Sequence, residues 1–316
     1  MTTAICTNDH NITFDQCVSC RGGLFSVSGS NSNTTLVNNL PPDPGWASFN
    51  PPGFTKAVTT TLQFPSDIIL PSFPIALPDN AANASVSQLG LANDSVLLTQ
   101  LVDTGLSPAR GFSYLAGSQS VYGARDGHVI FGGFDRASLA GPFTTYPMNS
   151  TVTAGSRDCT LHILVEALTL VRPNQSDLQL LSPGEIMPSC IEPLDYQFRL
   201  PENILGQFKT ATNWSSETSV AQGIYVVEEG LYYANFQGSL TFSLQGGLEV
   251  VIPTEELAWP VRGLDSIGKK VLQNNITVVN IFSDSAPEDT ASLGKALLSQ
   301  ARLTLLLIMF MGFCVD

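Results

Sequence analysis

The carboxylates of this chain are the first place to look for chemistry. Two carboxyl groups about 3 Å apart cannot both ionise, so they share one proton. One can then act as general base on water while the other protonates the oxygen that develops charge. Asp103-Thr104-Gly105 is the one Asp-Thr-Gly of the sequence, and its small neighbours would allow such a close approach. An acid pair needs a second carboxylate from elsewhere in the chain.

The residues around Asp103 favour a helix end over a catalytic loop. Apolar residues recur at helical spacing through residues 97–102. Gly105 is then typical of the C′ glycine that terminates a helix, and Pro108 lies just beyond it. The alternative, a catalytic loop, would follow an apolar β-run instead. We predict that Asp103 lies at the end of a short helix.

The segment that follows has the pattern of strand, turn and strand. Gly111-Phe112-Ser113-Tyr114-Leu115 precedes a run from Gly127 to Asp135, in which Gly132-Gly133 interrupts the apolar residues, and Gly141-Pro142-Phe143 comes next. In this order, these pieces resemble the late N-terminal lobe of pepsin-like aspartic peptidases. The resemblance extends over roughly residues 50 to 300, and secreted fungal members are the most similar in pattern.

The resemblance implies an all-β, bilobal, pepsin-like acid protease fold. One lobe would occupy residues 1–150 and the other residues 151–316, with a polar join at 149–157. Members of that family hydrolyse peptide bonds at acid pH in a cleft between the lobes, without a cofactor or metal. A polypeptide substrate or protein partner in that cleft, and a monomeric state, are the corresponding expectations. Each lobe of an active member supplies one D-[TS]-G loop.

The second catalytic loop should follow Cys190-Ile191, where the chain instead reads Glu192-Pro193-Leu194-Asp195-Tyr196. Glutamate is one methylene longer than aspartate, and Pro193 removes an N–H and fixes φ. Asp195 precedes a tyrosine that is too bulky for a close approach of two loops. We interpret both acids as ordinary loop residues and assign no catalytic residue to the chain as given.

Composition narrows the class of protein further. The chain has 316 residues, of which 43% are hydrophobic and only 13% are charged, and its net charge is −13. Such a low charged fraction, with abundant Ser, Thr, Asn, Gly and Pro, is typical of extracellular β-rich proteins. The absence of any basic run excludes a nucleic-acid partner.

Glycosylation acceptors of the form Asn-x-Ser/Thr are numerous and favour a secreted, extracellular protein. They occur at Asn11, Asn33, Asn83, Asn93, Asn149, Asn174, Asn213 and Asn275.

The cysteines are best interpreted as disulfide partners, which also fits secretion. A zinc site at Cys17-Val18-Ser19-Cys20 would need further ligands, for which Cys6 and His10 are the local candidates, and a redox motif would need a βαβ context. Cys159 and Cys190 flank one β-rich segment and are a plausible pair. His128 and His162 lie in strand patterns and are expected to be structural.

Both ends of the chain depart from the family pattern. Met1 to Cys20 contains no signal peptide, and the first D-[TS]-G loop of the family would precede it, so we expect the N-terminal lobe to be incomplete. Leu303 to Val315 is apolar but too short to span a bilayer. It could reflect a shifted reading frame or an alternative exon; a buried strand or helix is the alternative.

Alternating patterns predict most of the strands. The predicted strands are Val58–Phe64, Ile68–Leu70, Phe73–Leu77, Thr160–Leu170, Leu231–Phe236, Ser239–Leu244 and Leu248–Pro253.

Three functional hypotheses follow from these patterns. The first is a homologue of a pepsin-like endopeptidase that is inactive as written. The second is a pseudoenzyme that binds a polypeptide or an extracellular glycosidase, similar to the plant relatives of this fold that bind xylanases. The third is an incomplete gene model of an active peptidase.

Overall fold

The computed structural model describes a large part of the chain. The described residues are 35–37, 56–64, 68–77, 89–91, 95–118, 120, 123–138, 143–148, 153–154, 157–159, 161–193, 197–213, 237–264, 270–283, 291–306 and 310–315.

Strands dominate the described residues, so the prediction of an all-β fold is confirmed. The strands are β1 Thr35–Val37, β2 Lys56–Gln63, β3 Ile69–Leu77, β4 Phe112–Leu115, β5 His128–Phe131, β6 Thr144–Pro147, β7 Thr153–Ala154, β8 Arg157–Asp158, β9 His162–Val171, β10 Leu178–Gln179, β11 Met187–Ile191, β12 Phe198–Leu200, β13 Ser239–Leu244, β14 Leu248–Pro253, β15 Ala258–Leu264, β16 Lys270–Val279, β17 Ile281–Ser283, β18 Ala291–Leu293, β19 Ala301–Leu306 and β20 Phe310–Val315. The α-helices are α1 Val96–Asp103, α2 Glu202–Ala211, α3 Thr254–Leu257 and α4 Lys295–Gln300.

The chain divides into two compact units, one ending at Arg110 and the other beginning at Gly111, with short segments later in the chain assigned to the first. This division differs from the lobe boundary expected at 149–157, which stays a prediction. The predicted strand Leu231–Phe236 lies outside the described residues, as does the segment Met1 to Cys20.

The largest sheet belongs to the second unit and contains eight strands. Its order is β14-β13-β9-β11-β18-β12-β17, and β10 also pairs with β9. The register between β9 and β13 shifts at Glu166, which has no partner across the ladder. This β-bulge keeps the apolar residues on both sides of Glu166, such as Val165 and Leu168, on the buried face. Simple alternation along β9 would have turned one of them outward.

The core of the second unit lies against one face of this sheet. Phe198 of β12 and Phe242 of β13 are fully buried, and their rings stack with centroids 5.5 Å apart. Helix α2 adds Ile204, Leu205 and Phe208 to the same core cluster. The three residues follow helical spacing, so one face of α2 is buried while the other stays exposed.

The apolar C-terminal segment forms two strands of a five-stranded sheet. Strand β19 pairs antiparallel with β4, β20 pairs with β6, and the sheet order is β5-β4-β19-β20-β6. Of the strand and the helix that the sequence left open for this segment, the structure shows strands, while the expectation of a shifted reading frame or alternative exon stays a prediction. No helix among the described residues is long and apolar enough to cross a membrane.

The β4–β5 hairpin depends on two glycines at a close backbone approach. A Cβ on Gly117, whose φ is +68°, would lie 2.3 Å from the amide nitrogen of Gly127. A Cβ on Gly127 would lie 2.6 Å from the carbonyl oxygen of Ala116. Only glycine fits either position without moving the backbone.

The described part of the first unit contains a three-stranded antiparallel sheet, β1-β2-β3, and helix α1. Helix α1 contacts β3 and buries Leu97, Leu98 and Leu101. The helix begins at Ser95, whose hydroxyl oxygen accepts the N–H of Leu98 at 3.2 Å. The sequence predicted β2 and this helix to within a few residues. It divided β3 into two strands, because Pro71-Ser72 interrupts the apolar pattern.

Candidate functional site

The first candidate acid, Asp103, is the last residue of helix α1. Gly105 has a φ of +72°. Its N–H donates to the carbonyl of Val102 at 2.9 Å, and the N–H of Leu106 donates to the carbonyl of Leu101 at 2.9 Å. These two bonds, around a left-handed glycine, define a Schellman helix end. The predicted helix end is therefore confirmed. The Asp103 side chain is exposed, and Thr104 Oγ1 donates to the carbonyl of Gln100 at 2.6 Å.

The second candidate acid, Glu192, lies where β11 ends. Strand β11 pairs in parallel with β18, so the carboxyl ends of both strands lie at the same edge of the sheet. The N–H of Glu192 donates to the carbonyl of Leu293 at 2.9 Å, which fixes the start of the loop beside β18. Loops at such strand ends are where folds commonly place reactive side chains. Asp195 lies outside the described residues.

The non-core face of these strands carries polar and charged side chains. Ser292 is the register partner of both Cys190 on β11 and Arg199 on β12. None of the three belongs to the core cluster, whereas their strand neighbours Ile191, Leu293 and Phe198 do. Glu192, two residues beyond Cys190, lies on the same face by the alternation of a strand.

The strand register places Arg199 and the buried Ser292 on this polar face. Nη2 of Arg199 donates to Oε1 of Gln197 at 3.2 Å, and the hydroxyl of Ser292 is buried without a hydrogen-bond partner. Oε1 of Glu192 lies 3.7 Å from Sγ of Cys190. Glu192 and Arg199 therefore bring a carboxylate and a guanidinium to this face.

The disulfide at this position is Cys159–Cys190, the pair that the sequence suggested. Its Cα atoms are 5.7 Å apart, and both cysteines are buried. It connects the chain just before β9 to the end of β11. The other predicted partners, Cys6, Cys17 and Cys20, lie outside the described residues.

The predicted glycosylation acceptors are only partly described. Asn174 and Asn213 are exposed and have positive φ angles of 61° and 50°, as asparagine in tight turns often does. Asn275 lies within β16. The remaining acceptors, Asn11, Asn33, Asn83, Asn93 and Asn149, lie outside the described residues.

The two described histidines are far apart in sequence and lie on different sheets. Burial lowers the pKa of His162 on β9, while His128 on β5 is exposed. Among the described residues, no group of three or more His, Cys, Asp or Glu side chains could hold a metal ion.

Sequence reasoning missed one buried acid, Glu256 of helix α3, which is only 3% exposed. Burial raises the pKa of its carboxyl, and the negative charge of Glu255 raises it further. A hydrogen bond with Ser118 and the positive charge of Arg125 act in the opposite direction. Arg125 also donates from Nη2 to the carbonyl of Ser299 at 3.3 Å. No sequence signal distinguishes Glu256 from its exposed neighbour Glu255, because the contacts come from distant segments.

Comparison with known proteins supports the fold and no finer assignment. No family model matches the chain, and no curated protein matches its sequence. The solved structures that match include the aspartic proteinase from Irpex lacteus, with a TM-score of 0.54 and 15% identity, over 91% of this chain and 82% of that chain. At that identity the likeness shows the fold alone. The chain therefore has the fold of pepsin-like aspartic proteinases, as the sequence predicted.

Proposed function

We propose that this chain is a catalytically inactive homologue of the pepsin-like aspartic endopeptidases, and that it uses the fold to bind a polypeptide. One observation carries the proposal. At the end of β11, where the second catalytic loop of the family is expected, the chain has Glu192-Pro193 in place of an Asp-Thr-Gly or Asp-Ser-Gly. The single Asp-Thr-Gly of the sequence ends helix α1.

The chemistry of an acid pair explains why this substitution matters. Two carboxylates divide the roles of base and acid only when both are close enough to share a proton. Arg199 on the same face carries a guanidinium, which donates hydrogen bonds and never releases its proton, so it cannot act as the acid of a pair.

An assay of proteolysis at acid pH tests this proposal directly. Purified 316-residue chain is incubated with casein or haemoglobin at about pH 3–5, the range in which an acid pair holds one proton, with and without pepstatin. We expect no pepstatin-sensitive cleavage. Asp103→Asn, Glu192→Gln and Asp195→Asn are assayed in parallel. Pepstatin-sensitive cleavage that any one of them abolishes would show that the chain is an active peptidase and would identify the residue responsible.

Binding is the positive half of the proposal and needs its own measurement. Casein peptides carrying a fluorescent label are titrated with the chain, and anisotropy reports complex formation at acid and neutral pH. Saturable binding without cleavage supports a polypeptide-binding pseudoenzyme. The same titration with a labelled extracellular xylanase examines the glycosidase-binding alternative. If neither ligand binds, the binding part of the proposal fails, while the conclusion about proteolysis stands on its own assay.

The proposal also includes secretion, since a buried disulfide forms and persists most readily in an oxidising compartment. Extracellular localisation is expected for the natural protein. Immunodetection of the chain in the medium and in cell extracts of the source organism measures this directly.

A further inference from the structure

An open groove of about 760 Å³ lies beside helix α2 in the second unit. The helix provides one wall, and the turn that follows β9 provides the other. Amide, hydroxyl and guanidinium side chains dominate the lining, which also includes Leu178 and Ala211. The lining residues that matter here are Arg172, Gln175, Leu178, Gly206, Gln207 and Asn213.

Local hydrogen bonds hold both walls in place. Nε and Nη2 of Arg172 donate to the carbonyl of Ser176, at 3.2 and 2.7 Å, and so close the turn between them. On the helix wall, Thr210 Oγ1 donates to the carbonyl of Gly206 at 2.9 Å. Gly206 has no atom within 4 Å of the place where a Cβ would lie, so the space above it is open.

Asn213 lies in the groove lining and is also a glycosylation acceptor. It follows Thr212, the C-cap of α2, and its φ of 50° and exposed side chain place it in a turn at the end of the groove. Asn174, a second acceptor, lies in the turn of the opposite wall, at φ 61°. An accessible turn is the setting in which an asparagine amide is modified in secreted proteins.

We propose that Asn213 carries an N-linked oligosaccharide whose first sugar residues lie in this groove. Asn203, Gln207 and Gln175 offer amide donors and acceptors for sugar hydroxyl groups. Leu178 and Ala211 offer apolar surface for the C–H faces of the rings. The inference goes beyond the proposed function and shares with it only the extracellular route.

The modification is an ordinary glycosyl transfer. A lipid-diphosphate-linked oligosaccharide of the secretory pathway is the donor. The amide nitrogen Nδ2 of Asn213 forms the new C–N bond, the bond between the sugar and the phosphate breaks, and the lipid diphosphate leaves. The amide loses one proton, and no oxidant or reductant is needed.

The test compares the two acceptors in one molecule. The full chain is directed through the secretory pathway of a eukaryotic host by an added leader, and peptide mapping by mass spectrometry gives the occupancy of Asn213 and Asn174. The native protein is then treated with an endoglycosidase, and the release of each glycan is followed over time. We expect the Asn213 glycan to be released several-fold more slowly than it is from denatured protein, and the Asn174 glycan to be released at similar rates in both.

Substitutions at Gly206 separate groove contact from other causes of protection. Gly206→Met fills the open space above the helix and should abolish the protection without changing occupancy. Gly206→Ala is the matched control and should retain protection, because it adds one methyl group. Gln207→Ala removes an amide from the lining without changing the helix backbone. It should weaken the protection of the Asn213 glycan. Thermal melting verifies that each variant folds.

Three results would overturn the inference. Asn213 could be unmodified in the secreted chain, its glycan could be released equally fast from native and denatured protein, or Gly206→Met could leave the protection intact. None of these results bears on the proteolysis assay, so failure here and failure of the proposed function are distinguishable.

Discussion

The end of helix α1 and the end of strand β11 both present an acidic residue where the chain leaves a regular element, and they are built differently. At Asp103 the backbone turns through a left-handed glycine, and the carbonyls of the last helical turn are satisfied within the segment. At Glu192 the backbone is bonded to a neighbouring strand, and a disulfide holds the preceding strand. The tripeptide Asp-Thr-Gly therefore does not define a site by itself. The element that precedes it decides what its carboxylate can reach.

Removing the disulfide should have the largest effect on the free energy of unfolding. This change measures how far the β11 end depends on its covalent crosslink. Cys190→Ala opens a crosslink between residues 31 apart, which predicts a loss of about 3 to 4 kcal/mol in the free energy of unfolding. Denaturant titration measures it. Cys159→Ala and the double variant should lose the same amount, because all three lack the same bond. Equal stability of wild type and Cys190→Ala would contradict the disulfide.

The end of α1 should respond to a change at its glycine. Gly105→Ala forces a residue with a Cβ into φ +72°, and we expect a loss of about 1 to 2 kcal/mol. Gly90→Ala is the control in the same unit, because Gly90 has no positive φ and no atom near its missing Cβ. The control should be neutral or slightly stabilising. Similar losses for both variants would mean that Gly105 does not terminate the helix as described.

Glu256 extends the comparison to an acid that is buried inside the second unit. Because burial raises its pKa in the folded state above the value of 4.5 for a free carboxyl, the folded chain binds more protons than the unfolded chain. The contribution of Glu256 to the free energy of unfolding is therefore fully present below the unfolded pKa of its carboxyl, and it is lost as pH rises through the folded pKa.

Glu256→Gln should remove this loss, so that the variant gains stability relative to wild type as pH rises above about 4.5. Melting temperatures from pH 3 to pH 7, a range of about four units around the usual carboxyl pKa, measure the difference. Glu255→Gln, at the exposed neighbour, should retain most of the pH dependence. A Glu256→Gln curve parallel to wild type across this range would be inconsistent with a raised pKa.

Local signals explain which parts of the fold were predictable. The strands β13 and β14 were predicted residue for residue, because each alternates cleanly and is bounded by turn residues. The helix end at Gly105 was predictable because helical spacing and a C′ glycine are encoded within a few residues. The bulge at Glu166 was not, since it depends on the pairing of β9 with β13, and neither was the burial of Glu256. The polar face formed by Cys190, Ser292 and Arg199 also requires the topology, which brings together strands that lie far apart in sequence.

The smallest expected effect gives the sharpest distinction between a helix end and a catalytic loop. Asp103 is the last residue of α1, where the backbone dipole gives the helix end a partial negative charge. A carboxylate there is unfavourable, so Asp103→Asn should stabilise the chain by about 0.3 to 1 kcal/mol at low ionic strength. The gain should shrink as salt screens the charge. Denaturant titrations at low and high salt measure the gain in stability and its salt dependence. Asp135→Asn is not a suitable control, because the Asp135 carboxylate of the wild type accepts the N–H of Ala137. Asp177→Asn is the better control, since Asp177 is exposed and lies outside any helix.

A carboxylate held in a catalytic loop would behave differently, because its partners hydrogen-bond to it and its removal would destabilise the fold. Destabilisation by Asp103→Asn that is insensitive to salt would therefore refute the helix-end interpretation and restore Asp103 as a candidate catalytic residue.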